Sequence, residues 1–341
     1  MNKILFIRRD NVGDLICTTP AIHAARERYP QARIGILVNS YNADIVSGNP
    51  DIDTVYVYRK AKHVPGESRL AVWWSNLQLL RGIRRERYDV AIACGSHSHT
   101  LASYALRTGA ARRVGYVPAG ERNRWYTDPV PVSVTGEHEV ERVFRLVEPL
   151  GVQGRAGGMV LVPDAGEMAR FASFRQERRR GEKRPLVAVA ISARGAKKQW
   201  PLDKFISLIH HLEMGGECDV ILLWAPGLQS NPTFPGDDEA AEQVIASCGE
   251  GVIPYLTLTL PALVAALASV DLVVTPDTGS LHMAAALGKP TVALMHEGNA
   301  PFWYPWQTTS RVLSAASVAT IEVDEVLAAL TSLWPTGRLV R

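Results

Sequence analysis

The feature that most constrains the fold is a repeated alternation of short apolar runs with segments of helical periodicity. The first half contains the runs "KILFIRR", "ARIGILVN", "TVYVY", "YDVAIAC" and "RRVGYVP". The segment "LICTTPAIHAARERYP", which follows the first run, has its apolar residues at helical spacing. Strands that alternate with helices form a parallel sheet covered by helices on both faces. The sequence therefore predicts an α/β, doubly wound fold.

The second half repeats this pattern with the runs "LVAVAIS", "DVILLW" and "DLVVT". A chain of 341 residues is also longer than one hydrophobic core usually requires. We predict a Rossmann-like domain over residues 1–165, a charged linker region over 166–185 and a second Rossmann-like domain over 186–341. The C-terminal helix is a candidate to pack back on the first domain. The carboxyl ends of the strands of each half are expected to line a cleft between the halves.

Composition excludes several classes of protein. Four cysteines lie far apart in sequence, which argues against a disulfide framework or a structural zinc site and favours a reducing compartment. The N-terminus has too short an apolar run for a signal peptide, and no later run has transmembrane length. Neither a Gly-x-Gly-x-x-Gly fingerprint nor a phosphate-binding Gly-Lys-Ser/Thr loop is present. We therefore expect a cytoplasmic protein that is neither a nicotinamide-dependent nor a P-loop enzyme.

Charge is distributed unevenly along the chain. Residues 1–165 contain 22 Lys and Arg against 16 Asp and Glu, whereas residues 166–341 contain 15 against 18. Basic clusters at 59–63 and 81–87 fit contact with an anionic substrate or a membrane surface, and solvated faces are the alternative.

One candidate site is the turn "PDTGS" between the strand "DLVVT" and the helical segment "LHMAAALG". Unpaired first-turn amides and the helix dipole favour phosphate there, and Gly279 permits close approach of the backbone. The alternative is that Asp277, Thr278 and Ser280 cap the helix. His282 lies on the apolar helix, which favours a hydrogen-bonded core residue over a catalyst.

Two further loops follow predicted strands. "SARGAKKQWPLDKF" places Arg194, Lys197 and Lys198 where cations can reach a phosphate. In "RRDNVGDLICTTP", Gly13 allows a tight turn and Asp14 lies at the start of a helix. The residues alone favour helix capping by Asp14, and a carboxylate exposed to the cleft is the alternative.

Three segments in this order, "GDLICTTPAI", "KQWPLDKF" and "TPDTGSLHMAAALGKPTVAL", resemble glycosyltransferase family 9, the ADP-heptose:lipopolysaccharide heptosyltransferases. The resemblance covers nearly the whole chain. It implies the GT-B fold, with two Rossmann-like doubly wound domains facing a central cleft. In that fold the N-terminal half receives the acceptor and the C-terminal half holds the nucleotide sugar.

The resemblance also implies residue roles. Asp14 matches the general base, which takes the acceptor proton as the sugar is transferred with inversion. Lys198 matches the diphosphate-binding lysine, so a fixed cation and backbone amides would stabilise the leaving group without a metal or other cofactor. The loop before Lys198 departs from close relatives, which carry hydroxyl residues there, and Arg194 is a candidate to replace part of the phosphate contact. The full expected donor-binding set is Ser192, Arg194, Lys198, Asp238, Asp277, Thr278, Gly279, Ser280 and His282.

Other assignments remain open at this point. Relatives often place an acidic residue that contacts the donor after the strand "VILLW", and Asp237, Asp238 or Glu239 fits that role, with Asp238 taken as the candidate. The expected acceptor-binding residues are Arg59, Lys60 and Lys62. For Trp73 and Trp74 we favour buried packing over a role in seating a lipid-linked acceptor. The segment 51–53, "DID", is interpreted as turn chemistry and not as a metal motif.

The sequence thus predicts an inverting, metal-independent glycosyltransferase that moves a heptose-like sugar from an ADP-linked donor to an anionic glycan or lipid acceptor, such as the lipopolysaccharide inner core. The expected partners are this donor and this acceptor, with the cytoplasmic face of the inner membrane as a candidate contact and no nucleic acid. The alternatives are a nucleotide-sugar epimerase of GT-B fold and a non-catalytic nucleotide-sugar-binding protein.

Overall fold

A computed structural model describes residues 1–60, 68–121, 123–133, 136–178, 184–232 and 235–334. The chain divides into two compact units, Met1–Val162 and Pro163–Arg341. Each unit contains a parallel sheet with helices packed against it. None of the described helices combines the length and the apolar character needed to cross a bilayer.

The first unit contains six parallel strands within its described residues. They are β1 (Lys3–Ile7), β2 (Arg33–Asn39), β3 (Thr54–Tyr58), β4 (Val90–Ala93), β5 (Arg112–Val117) and β6 (Asp128–Pro131). Their order is β3-β2-β1-β4-β5-β6, with Ile4 opposite both Ile34 and Val90. The chain reverses direction across the sheet between β1 and β4, which is where doubly wound proteins bind their ligands.

Helices cover this first sheet. They are α1 (Val12–Ile16), α2 (Thr19–Arg28), α3 (Arg69–Glu86), α4 (His99–Arg107) and α5 (Glu139–Phe144), with 3₁₀ segments at Ala43–Val46 and Arg145–Leu150. The central strand β1 is apolar and fully buried from Ile4 to Ile7, as expected for a strand covered on both faces. The segment "YNADIVSG" contains only the short 3₁₀ segment Ala43–Val46.

The second unit has the same arrangement in its described residues. Its strands are β7 (Leu186–Ala190), β8 (Asp219–Trp224), β9 (Ile253–Leu256), β10 (Leu272–Pro276), β11 (Thr291–His296) and β12 (Ser310–Ala315). Their order is β12-β11-β10-β7-β8-β9, so the reversal lies between β7 and β10. Its helices are α6 (Ala165–Glu177), α7 (Leu202–Gly215), α8 (Asp238–Cys248), α9 (Leu260–Ala268), α10 (Gly279–Ala286), α11 (Ala300–Trp303) and α12 (Val323–Leu333).

The region predicted as a linker contains helix α6. Asp164 caps this helix by accepting a hydrogen bond from Glu167 N at 2.9 Å, and Phe171 is buried with its ring edge-on to Tyr255 at 4.9 Å between centroids. The second unit therefore begins before α6, and a charged exposed face concealed this helix in the sequence. At the other end of the unit, α12 buries Val326 and Leu330 in the core of the second unit.

Candidate functional site

Asp14 lies in α1, directly after β1 in the first unit. Its Oδ2 accepts a hydrogen bond from Asn11 N at 3.0 Å, so Asp14 closes the first turn of the helix as the capping interpretation predicts. Its Oδ1 accepts from Arg8 Nη2 at 2.6 Å. The side chain is 16% exposed, so the carboxylate is held on both oxygens and still reaches solvent.

Arg8 is the centre of a buried charge network that the sequence analysis missed. Its side chain is 1% exposed, and Nη2 also donates to Glu139 Oε1 at 2.8 Å, while Nε lies 3.3 Å from Asp10 Oδ2. Burial alone would lower the pKa of Arg8, but Glu139, Asp14 and Asp10 together raise it above its usual value. Arg8 is therefore a permanent cation that fixes the orientation of Asp14.

The network extends to the loop after β4, the strand next to β1. Glu139 Oε2 pairs with Arg142 Nη2 at 2.9 Å, and the same nitrogen donates to Ser96 Oγ at 3.0 Å. Gly95 has φ +152°, and a Cβ at this position would lie 3.0 Å from Asp10 Oδ2. The loops after β1 and β4 are therefore in close contact at the point where the strand order reverses.

Of the three expected acceptor-binding residues, two are described. Lys60 follows β3, and its Nζ donates to the carbonyl oxygen of Arg9 at 3.0 Å, which ties it to the loop that carries Asp14. The backbone of Arg59 is fixed by Asn76, which accepts from Arg59 N at 3.0 Å and donates to Arg59 O at 2.8 Å. Lys62 lies outside the described residues.

In the second unit, Lys198 and Asp277 meet at the carboxyl ends of the adjacent strands β7 and β10. Lys198 Nζ lies 2.8 Å from Asp277 Oδ2, which also accepts from Asn299 Nδ2 at 2.7 Å. Asp277 is buried, whereas the Lys198 side chain is 34% exposed. The carboxylate thus anchors the lysine from the protein side, and the ammonium keeps an open side.

Helix α10 begins beside this pair. Thr278 is its N-cap residue, and within the described residues its side chain makes no capping hydrogen bond to the first turn. Its hydroxyl instead contacts Ser280 Oγ at 2.8 Å, and Ser280 Oγ contacts Thr275 Oγ1 at 2.6 Å. Thr278 therefore does not cap the first turn of α10 through its side chain, and binding of an anion at this turn stays a prediction.

Ser192, in the loop after β7, contacts the loop after β8. Its Oγ accepts from Ala225 N at 2.7 Å and hydrogen-bonds Asp237. Burial raises the pKa of Asp237, and the charges of Asp238 and Glu239 add to this, while the Ser192 hydrogen bond and the positive charge of Arg194 oppose it. Asp237 is thus a half-buried carboxyl near the exposed Arg194 at the same edge of the sheet.

Asp238, the residue taken as the donor contact, is occupied by structural hydrogen bonds. Oδ1 accepts from Trp224 Nε1 at 2.8 Å and Oδ2 accepts from Gly227 N at 2.9 Å. Glu239 Oε2 accepts from Gln229 N at 3.2 Å. The Asp238 and Glu239 carboxylates therefore hold the loop after β8 in place. Of the three acidic candidates, Asp237 is the one that hydrogen-bonds Ser192 and interacts with the charge of Arg194.

The structure agrees with the environment expected for His282 but not with the one expected for Trp73 and Trp74. His282 is buried, with its ring edge-on to Trp303 at 5.7 Å, which fits the expected core position. Trp73 and Trp74 are 60% and 50% exposed, so the expected buried packing is wrong. They lie on exposed positions of α3, whose buried residues are Val72, Leu80 and Ile83.

Across the described ranges, no group of three or more His, Cys, Asp and Glu side chains is arranged to hold a metal ion. The described residues bring together an oriented carboxylate in the first unit and, in the second, a lysine beside the first turn of a helix. Such groups accept a proton and bind a phosphorylated ligand, respectively.

The sequence profile of glycosyltransferase family 9 (heptosyltransferase) matches residues 76–329. The chain belongs to glycosyltransferase family 9. It is therefore an enzyme that transfers a sugar, which favours transfer over the epimerase and the non-catalytic alternatives. The resemblance noted in the sequence is confirmed.

Relatives and solved structures agree with this family 9 assignment. The chain is 26% identical over 310 residues to lipopolysaccharide heptosyltransferase 3 of Escherichia coli (strain K12), covering 86% of this chain and 82% of that protein. A family 9 glycosyltransferase from Veillonella parvula has a TM-score of 0.84 at 20% identity, with 97% of both chains covered. E. coli ADP-heptose lps heptosyltransferase II has a TM-score of 0.77 at 23% identity, covering 97% of this chain and 98% of that one. The predicted class of two Rossmann-like, doubly wound units, as in GT-B enzymes, is confirmed.

Proposed function

We propose that this family 9 glycosyltransferase transfers a heptose-like sugar from an ADP-linked donor, with inversion and without a metal, to an anionic glycan or lipid acceptor such as the lipopolysaccharide inner core. Support for the reaction class comes from the family match. Support for the donor and acceptor comes from the relatives, which include lipopolysaccharide heptosyltransferases and an ADP-heptose-dependent one.

One observation carries the proposal: the Lys198–Asp277 pair lies beside the first turn of α10. A diphosphate placed there would receive hydrogen bonds from the helix amides and from the open side of the Lys198 ammonium. Because Asp277 stays paired to Lys198 and Asn299, the lysine is fixed in position before the donor arrives. The same groups would stabilise the charge that develops on departing ADP.

The oriented carboxylate of Asp14 supplies the second half of the reaction. In our proposal it accepts the proton of the acceptor hydroxyl while that oxygen forms a bond to the anomeric carbon and the bond from that carbon to the diphosphate oxygen breaks. Attack from the face opposite the diphosphate inverts the configuration. Since Asn11 N and Arg8 Nη2 both donate to Asp14, the carboxylate is held in one orientation before the acceptor binds.

The other proposed donor contacts are chosen from the hydrogen bonds and charges around each side chain. Asp237 replaces Asp238 as the proposed acidic donor contact, because both oxygens of Asp238 are occupied by the protein. Ser192, Arg194, Thr278, Gly279 and Ser280 complete the proposed donor site, and His282 supports α10 from its buried side. Arg59, Lys60 and Lys62 remain the proposed contacts to carboxylates or phosphates of the acceptor.

The test is a binding screen followed by product analysis. Melting temperature is measured with ADP-heptose, UDP-glucose, GDP-mannose and free ADP, because a ligand of the folded state raises it. We expect ADP-heptose to give the largest shift. Transfer to a panel of de-acylated inner-core lipopolysaccharides is then followed by NMR with and without EDTA. Inverted anomeric configuration and turnover in EDTA are expected; a retained configuration, or preference for another nucleotide, would overturn the proposal.

A further inference from the structure

Helix α3 presents one continuous exposed stripe on the first unit. Ser68 starts the helix, since its Oγ accepts from Ala71 N at 3.1 Å. The helix buries Val72, Leu80 and Ile83, and exposed positions at spacings of three and four line up beside that buried side. The exposed residues of this stripe are Leu70, Trp73, Trp74, Arg81, Arg84 and Arg85, and the half-buried Leu77 lies between its two halves. At 1.5 Å per residue the stripe is about 22 Å long.

The N-terminal half of the stripe is apolar and aromatic. Leu70 is 79% exposed, Trp73 is 60% exposed and Trp74 is 50% exposed, and the two indole rings lie 6.3 Å apart. Isolated exposed apolar side chains are common, but a contiguous group containing two tryptophans indicates an interaction surface. Tryptophan is enriched where one side of a surface is apolar and the other is wet.

The C-terminal half of the stripe is cationic. Arg81, Arg84, Arg85 and Arg87 line a shallow concavity of about 380 Å³. Arg81 joins the two halves, because its guanidinium lies 5.6 Å from the centre of the Trp74 ring. The acidic residue of the helix, Glu86, faces away from the stripe and pairs with Lys3 at 3.0 Å and Arg33 at 3.2 Å. The arginine group on α3 is therefore not neutralised by the helix that carries it.

We propose that this stripe of α3 docks the enzyme on the surface of an anionic phospholipid bilayer. Leucine and tryptophan side chains would enter the boundary between headgroups and acyl chains, and the arginines would bind lipid phosphates. The helix lies on the bilayer and does not span it. Such docking requires neither Asp14 nor Lys198, so it adds a location to the proposed transfer reaction without depending on it.

Charge complementarity selects the bilayer among possible occupants. An anionic surface supplies many phosphates at once to a group of arginines, and its interface accommodates indole rings at the depth where the charges remain hydrated. A second copy of the chain would bring its own arginines to the same face. An anionic bilayer therefore offers partners to both halves of the stripe: phosphates to the arginines, and the boundary between headgroups and acyl chains to the leucine and tryptophan side chains.

The test is co-sedimentation of the full-length enzyme with vesicles of phosphatidylethanolamine alone or mixed with phosphatidylglycerol. We expect binding to the mixed vesicles that weakens as salt rises. Trp73→Ser/Trp74→Ser and Arg81→Gln/Arg84→Gln/Arg85→Gln should each weaken partitioning by about tenfold or more. The matched controls, Leu258→Ser and Arg155→Gln/Arg311→Gln, change exposed residues elsewhere and should bind like the unaltered enzyme.

Three results would contradict docking through α3: no preference for phosphatidylglycerol, stripe variants that bind like the controls, or a Trp-dependent dimer in sedimentation velocity with no vesicle binding. The melting temperature of each variant is measured to show that it is folded. The affinity for ADP-heptose is measured in parallel, and docking predicts that it stays unchanged. Loss of docking with intact donor binding therefore separates this inference from the proposed transferase function.

Discussion

Arg8 and Asp14 form a 2.6 Å ion pair in which the cation is 1% exposed and the carboxylate reaches solvent. The buried guanidinium also binds Glu139, whose side chain is 2% exposed. The buried Arg8 guanidinium therefore binds two carboxylates: Glu139, which is buried, and Asp14, the proposed base, which is partly exposed. The orientation of Asp14 thus depends on a residue that is itself buried.

Removing Arg8 should destabilise the protein strongly. We expect Arg8→Met to lower the free energy of unfolding by about 3–5 kcal/mol, because the buried Glu139 would lose its buried cation and keep only the partly exposed Arg142 as a charged partner. Replacing both partners, Arg8→Met/Glu139→Leu, should recover a large part of that loss. Urea denaturation of Arg8→Met, Glu139→Leu and the double variant measures the coupling, and a loss in the double variant equal to the sum of the two single losses would show that the buried pair is not coupled.

Substitution of Lys198 should weaken donor binding, whereas the same substitution of the adjacent Lys197 should not. Lys198→Ala removes a charged hydrogen-bond donor, which we expect to weaken ADP-heptose binding by about ten- to a hundredfold. Lys197→Ala is the matched control, since Lys197 lies in the same 3₁₀ turn but is exposed. Calorimetric titration measures both dissociation constants. Equal affinities in the two variants would remove Lys198 from the donor site.

Donor binding should also depend on pH through Asp237. Burial raises the pKa of this carboxyl, so on acidification it becomes protonated sooner than an exposed aspartate and loses the negative charge that makes it a strong hydrogen-bond acceptor for the donor. Affinity for ADP-heptose should therefore fall on the acid side of neutrality. Asp237→Asn should flatten this pH dependence, whereas Asp238→Asn should retain it. A flat profile in the unaltered enzyme would argue against a donor contact by Asp237.

The cysteines should be unreactive in the folded protein. All four are buried and none forms a disulfide, and burial raises the pKa of both Cys94 and Cys218 to about 12. We expect negligible labelling by a thiol reagent at neutral pH and labelling of all four thiols after denaturation, because the thiolate is the reactive form. Rapid labelling of the native enzyme, measured by absorbance with a chromogenic disulfide, would contradict this packing.

Much of the fold could be predicted from local patterns. Buried parallel strands such as β1 and β7 are continuous apolar runs, and helices with a buried stripe, such as α7, show the 3.6-residue period. Helix α6 was missed because Phe171 is its single buried residue, so its pattern has no stripe. This helix is held by tertiary packing of Phe171 against Tyr255, a contact that local sequence does not reveal.

The candidate site was predictable only where it is local. The turn at Asp277–Gly279 and the lysine at 198 lie on strand-to-helix loops, a position that sequence can recognise. The Arg8–Glu139 pair joins residues 131 apart, and neither residue carries a local sign of burial. The exposure of Trp73 could not be predicted from the sequence either, because residue type alone favours a buried position for an aromatic side chain.

The role of Asp14 as the general base is tested most directly by separating donor binding from transfer in Asp14→Asn. This substitution keeps the side-chain size and an oxygen for Asn11 N, and Asp44→Asn is the control at an exposed carboxylate of the same unit. Rapid-quench transfer from ADP-heptose to de-acylated inner-core lipopolysaccharide is measured with the donor dissociation constant. We predict transfer reduced by at least about a hundredfold in Asp14→Asn with donor affinity unchanged, whereas full transfer in that variant would contradict the assignment.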